Sequence, residues 1–144
     1  MTEWTLKDGE RLDDLVRDGM RLIQRPDQFC FSVDSVLLAH YVKPKAKDRI
    51  ADLGTGTGVI SLLVSALDGR NITAFEVNPV MADLARRNIA GNGKEDRIHV
   101  VEFDYRKVNE RFPSGSFSLV LANPPYREMG TGKMSMLEGV ASAS

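Results

Sequence analysis

The sequence predicts an α/β domain organised around a parallel β-sheet. Three observations predict it. From residue 49 onward, apolar strand-like runs alternate with helical segments. A glycine-rich turn joins the first of these strands to its helix. A polar residue stands at the end of every strand: Asp52, Glu76, Asp104 and Asn123. In parallel sheets ligands bind beyond the carboxyl ends of the strands, so these four are expected to meet at one crevice.

Composition sets the outer limits. The chain has 144 residues, 42% hydrophobic and 27% charged, which fits one globular domain rather than a disordered segment. No apolar run reaches membrane-spanning length, and the first residues lack a signal-peptide core, so no membrane partner is expected. A lone Cys30 excludes an internal disulfide framework and fits a reducing, cytoplasmic setting. With two His and one Cys, a dedicated Cys/His metal site is not expected. The net charge of -1 gives no global field for nucleic acid, but leaves a local basic patch open.

Along the chain, Leu12, Leu15, Val16 and Met20 fall at helical spacing, which predicts a helix over residues 10–20. Gly19 interrupts it. Met20 to Gln24 and Phe29 to Phe31, separated by Pro26-Asp27, suggest a hairpin. Asp34-Ser35 caps a short apolar helix that Lys43-Pro44 closes. His40 within it carries no chemical signal. Residues 1–48 therefore form a helical and hairpin extension, 49–128 the core, and 129–144 a flexible tail rich in small residues.

Within the core, Ile50-Ala51-Asp52-Leu53 is the first strand, and Gly54-Thr55-Gly56-Thr57-Gly58 the turn. Such a turn admits a ligand close to the backbone and aims helical N–H groups at it. Val59 to Leu67 is a buried helix. Ile72 to Val77 is the second strand, and Asn78-Pro79 starts the next helix as N-cap and first residue. Val80, Met81, Leu84, Ala85 and Ile89 make its apolar stripe, with Asp83, Arg86, Arg87 and Asn88 off it. Gly91-Asn92-Gly93 ends it. Ile98 to Asp104 and Phe117 to Ala122 are the third and fourth strands.

The turn suits a nucleotide-like ligand, but two familiar versions fail. The dinucleotide fingerprint G-x-G-x-x-G needs glycine where Val59 stands, and Gly58 comes one position early. No G-K-[ST] follows, so it is not a P-loop. Asp52-Leu53-Gly54-Thr55-Gly56-Thr57-Gly58 resembles the first motif of the class I S-adenosylmethionine-dependent methyltransferases. The resemblance implies that Gly54, Thr55, Gly56 and Gly58 lie at the methionyl part of S-adenosyl-L-methionine, with Asp52 positioning it. It gives Glu76 the ribose hydroxyls, Val77 the adenine face and Asp104 the adenine amino group. A carboxylate suits a vicinal diol because it can accept two hydrogen bonds.

Asn123-Pro124-Pro125-Tyr126 is similar to the [NDS]-P-P-[YFW] motif of amino methyltransferases, which act on exocyclic adenine or cytosine nitrogens or a glutamine amide. Such a nitrogen is a poor nucleophile because its lone pair is delocalised. By the resemblance, the Asn123 oxygen and Pro124 carbonyl accept its protons, and Tyr126 stacks on the flat substrate.

The segments Glu10 to Leu15, Ile23-Gln24, Phe29 to Ala39 and Asn123 to Lys133 narrow the resemblance to the bacterial valine-tRNA adenine N6-methyltransferases. That implies a tRNA anticodon-loop adenine as substrate, and places Phe31 and Asp34 over the cofactor. Release-factor glutamine N5-methylation, DNA adenine methylation and an inactive cofactor-binding remnant are the alternatives.

A full fold of this class has seven strands. Four are expected here, in the order 3-2-1-4 with helices on both faces, so the chain resembles its N-terminal half only. An apolar fourth strand at the edge invites self-association.

Overall fold

The structure, a computed structural model, describes residues 4–15, 19–25 and 41–122. The hairpin β1 (Arg11–Asp14) and β2 (Arg21–Gln24) precedes the core. The core runs β3 (Arg49–Leu53), α1 (Val59–Ala66), β4 (Asn71–Phe75), α2 (Pro79–Gly91) and β5 (Ile98–Val101). A 3-10 turn (Tyr105–Lys107), the short α3 (Val108–Arg111) and β6 (Leu119–Ala122) complete it.

The four core strands are parallel, with hydrogen-bonded neighbours in the order β5-β4-β3-β6. Numbering over the whole chain counts the two hairpin strands first. Among the four sheet strands alone, the order is third, second, first, fourth. β3 is thus central, flanked by β4 and β6, and its carboxyl end opens at the middle of the sheet.

Alternation along the strands separates two apolar layers. Ile50, Ile72, Ala74 and Leu121 join Ile60, Leu62, Leu63 and Val64 of α1 and Ile89 of α2 in the larger core. Ala51, Leu53, Phe75, Val120 and Ala122 face the other way, against Phe103, Phe112 and Phe117. Phe75 anchors that second layer: Phe112 and Phe117 meet its ring edge-on at 5.4 and 6.0 Å, a favourable quadrupole arrangement. β3 and β4 are buried along most of their length on both faces, which is why they read as continuous apolar runs.

Two sequence expectations are corrected. Residues 11–14 are the first strand of the hairpin, not part of a helix: Leu12 pairs with Ile23 and Asp13 with Leu22. Four apolar residues over one short segment fit either period, and Gly19, at φ 70°, turns the chain back instead. On α2, Val80 is 49% exposed while Asn88 is fully buried, so the two exchange the places their polarity predicts. The hairpin lying against α2 decides this, since Asn88 bonds to its backbone. The second hairpin strand predicted at Phe29 to Phe31, most of the capped helix before Lys43, and the tail from residue 123 lie outside the described residues.

Candidate functional site

The glycine turn is built by its neighbours. Thr55 N–H donates to the Phe75 carbonyl at 2.8 Å, so the loop leaves β3 still tied to β4. Gly58 N–H then donates to Thr55 O, closing a turn, and Gly58 caps α1 at φ 87°. A side chain at Gly58 would be strained there and would meet Ala85 of α2 at 3.5 Å. The turn therefore packs directly against α2. Gly56, also left-handed at φ 57°, has, among the described residues, only the Met81 methyl within 4 Å of where a Cβ would stand.

Three of the four strand-end polar residues are described, and their environments differ. Asp52 is 1% exposed. It shares the α1 face of β3 with Ile50, and its Oδ2 accepts from the Thr55 and Ser61 hydroxyls, both at 2.7 Å. Oδ1 is buried with no hydrogen-bond partner among the described residues. Burial pushes its pKa up, against the two hydroxyl bonds that pull it down, and the charge of Glu76 adds to the rise. An orphaned buried carboxylate oxygen costs free energy unless a further donor reaches it.

Glu76 follows β4 directly. Its Oε1 accepts from Gly56 N–H at 2.8 Å and its Oε2 from Asn78 N–H at 3.1 Å. One carboxylate thus bridges the glycine turn and the start of α2. Val77, next in the chain, is 64% exposed, an apolar side chain at the crevice rim. Asn78 caps α2 as its sequence predicts, Oδ1 accepting from Val80 and Met81 N–H, with Pro79 in the first turn.

Asp104 lies three residues beyond β5. Its neighbour Phe103 donates its N–H to the Glu76 carbonyl, which keeps this loop beside the end of β4. Both Asp104 oxygens receive the Arg106 guanidinium, with Nη2 to Oδ2 at 2.7 Å, and Oδ1 also accepts Arg106 N–H. These bonds hold its pKa down at about 2.

The structure therefore brings Asp52, Gly54, Thr55, Gly56, Gly58, Glu76, Val77 and Asp104 to the carboxyl end of the sheet. Thr55 enters differently from expectation: its side chain is buried and its hydroxyl is committed to Asp52. Phe31, Asp34, Asn123, Pro124, Pro125 and Tyr126 lie outside the described residues. Two participants escape the sequence motifs. Ser61 is a hydroxyl in an otherwise apolar helix, a signal present in the sequence. Arg106 has no such signal, because the turn after Asp104 creates the pair. Among the described residues no cluster of His, Cys, Asp and Glu could hold a metal ion.

The methyltransferase small domain family matches residues 20–143, most of the chain. The chain belongs to that family. Within it, the chain is 36% identical over 112 residues to the tRNA1(Val) (adenine(37)-N6)-methyltransferase of Shewanella amazonensis, covering 78% of this chain and 47% of that one. The chain spans less than half the length of the curated relatives it matches.

Solved structures share the fold. TYW2 of P. horikoshii, in complex with MeSAdo, superposes with a TM-score of 0.64 at 22% identity over 80% of this chain and 42% of that one. A SAM-dependent methyltransferase from Agrobacterium tumefaciens gives 0.62 at 21% identity, over 84% and 41%. The α/β sheet is that of the class I methyltransferases.

Proposed function

We propose that this family member binds S-adenosyl-L-methionine at the carboxyl end of β3 and β4 and directs its methyl group to N6 of an adenine in a tRNA anticodon loop. One observation carries the cofactor part. The left-handed glycine turn, a buried Asp52 with an orphaned oxygen, and Glu76 beside an exposed Val77 lie at one strand-end crevice. The set of groups suits this ligand: an ammonium and a sulfonium, a ribose diol and a flat base call for acids, a turn without side chains and an apolar rim. Gly54, Gly56 and Gly58 would lie at the methionyl end with Asp52 positioning it from beneath the turn, Glu76 at the ribose, and Val77 and Asp104 at the adenine. The bound cofactor supplies an electrophilic methyl on a sulfonium.

The substrate part rests on the relatives' specificity and on Asn123-Pro124-Pro125-Tyr126. Asn123 and Pro124 would accept the amino protons and Tyr126 would stack on the base, held after Pro125. Phe31 and Asp34 would close the cofactor from above. In this reading residues 1–48 are the extension, 49–128 the catalytic core and 129–144 a tail. The working site would be cytoplasmic. Labelled S-adenosyl-L-methionine with total tRNA, DNA or release factor tests the assignment: tRNA acquires label, and Asn123→Ala abolishes it. Label in release factor or DNA instead of tRNA, or survival of the tRNA signal in Asn123→Ala, refutes it.

The sheet suggests a partner as well. Among the described residues no strand lies beyond β6, whose Val120 and Leu121 are apolar. Two copies are proposed to pair along this edge. Sedimentation should then show a concentration-dependent dimer; a monomer at every concentration contradicts it.

A further inference from the structure

β2 is paired to β1 on one side, and α2 takes its other side through two asparagines. Asn92 Oδ1 accepts Arg21 N–H at 2.9 Å, and Asn92 Nδ2 donates to the Arg21 carbonyl at 2.7 Å. Asn88 Oδ1 accepts Ile23 N–H at 2.6 Å, and Asn88 Nδ2 donates to the Ile23 carbonyl at 3.0 Å. The spacing explains why this works. Residues four apart on a helix advance about 6 Å, and residues two apart on a strand about 6.6 Å. Two side-chain amides on one helix face therefore take the place of a neighbouring strand, each filling one donor and one acceptor of the hairpin edge.

Asn88 does something Asn92 does not. The second Nδ2 proton goes to the carbonyl of Thr57, inside the glycine turn, at 2.9 Å. One fully buried amide thus joins the hairpin, α2 and the loop. Ala85, one turn earlier on α2, is the residue that Gly58 packs against, so the same helix face contacts the loop twice. Asn92 spends its remaining proton on the Asn88 carbonyl within its own helix.

We infer that Asn88 is a positioning residue for the cofactor site, fixing the glycine turn relative to the hairpin. The inference rests on the cofactor reading above. Its consequence is a link between two parts of the chain: the hairpin, far from the chemistry in sequence, sets where the loop backbone stands. Binding at the loop then tightens the hairpin edge, and disturbing the edge at Asn88 weakens binding, because such coupling is reciprocal.

Asn92→Ala provides the internal control, since it breaks the same hairpin clamp without touching the loop. Both alanine variants should melt at lower temperature than the parent protein. Measured by calorimetry well below both melting points, Asn92→Ala should keep its S-adenosyl-L-methionine Kd within about twofold, while Asn88→Ala raises it about tenfold, the equivalent of one buried hydrogen bond. Amide exchange at residues 54–58 should accelerate in Asn88→Ala and not in Asn92→Ala. Equal Kd and equal loop exchange in the two variants would overturn the inference.

Should Asn88→Ala not fold, the parent protein still decides it: adding cofactor must slow exchange at the Arg21 and Ile23 amides, and protection confined to the loop refutes the coupling. If the parent protein does not bind S-adenosyl-L-methionine at all, the cofactor reading fails. The ligand-free exchange comparison, or with an unfolded Asn88→Ala the same comparison made on the neutral Asn88→Ser, whose one hydroxyl cannot serve both carbonyls, then judges Asn88 by itself.

Discussion

The carboxyl ends of β3 and β5 each carry an aspartate near the crevice, and the two are held in opposite ways. Asp52 is sealed under the glycine turn, bonded to two neutral hydroxyls, with one oxygen unmatched and its pKa raised by burial. Asp104 stands near solvent, gripped by Arg106, with its pKa lowered to about 2. Position on the sheet is shared, but the medium is not. In the interior a carboxylate's charge is a cost that only further donors offset; at the surface a guanidinium two residues away outweighs everything else. Asp52 is therefore built into the architecture of the loop, whereas Asp104 is an adjustable group at its margin.

The largest expected effect separates shape from charge at Asp52. Asp52→Asn keeps an oxygen to accept from Thr55 and Ser61 and removes the buried charge. Asp52→Ala removes the acceptor, orphans both hydroxyls and leaves a void. The alanine variant should be less stable than the asparagine variant by about 2–4 kcal/mol in denaturant unfolding. The pH dependence sharpens this. A carboxyl whose folded pKa is raised binds its proton more tightly when folded, so its penalty is absent below its ordinary value near 3.8 and grows as pH rises toward the folded pKa. The parent protein should lose stability over that interval relative to Asp52→Asn. Parallel pH profiles, or an alanine variant as stable as the asparagine one, would show that Asp52 is not buried in this way.

That contrast also shows what the sequence could and could not reveal. The stretch from Arg49 to Gly91 was legible because its signals are local: a strand run, alternate glycines, then Asn78-Pro79 as cap and first turn. The acids at Asp52 and Glu76 were legible at strand ends for the same reason, whereas Asp104, expected to end its strand, stands in the loop three residues beyond β5. The electrostatics of these acids were not legible. The raised pKa of Asp52 depends on a helix nine residues away folding over it, and the lowered one of Asp104 on a turn that returns Arg106. Asn88 was misplaced because its partners, Ile23 and Thr57, are 65 and 31 residues distant. The strand at residues 11–14 was missed because four residues are too few to separate one period from another.

The smaller effect belongs to Asp104. Its ion pair with Arg106 has a guanidinium that is largely solvated, so Asp104→Ala should leave the melting temperature almost unchanged. If Asp104 receives the adenine amino group, the same variant should bind S-adenosyl-L-methionine about tenfold more weakly, the loss of one charge-assisted hydrogen bond. The titration tests the cause. A lowered pKa means that the pair's contribution is complete above the ordinary value of 3.8 and disappears as pH falls through about 2. The carboxyl resonance of Asp104 should thus stay flat from neutral pH down to about 3, and move back toward ordinary behaviour in Arg106→Ala. An Asp104 that titrates near 4 in the parent protein would mean the guanidinium does not hold it in solution. The two strand-end acids would then differ by burial alone.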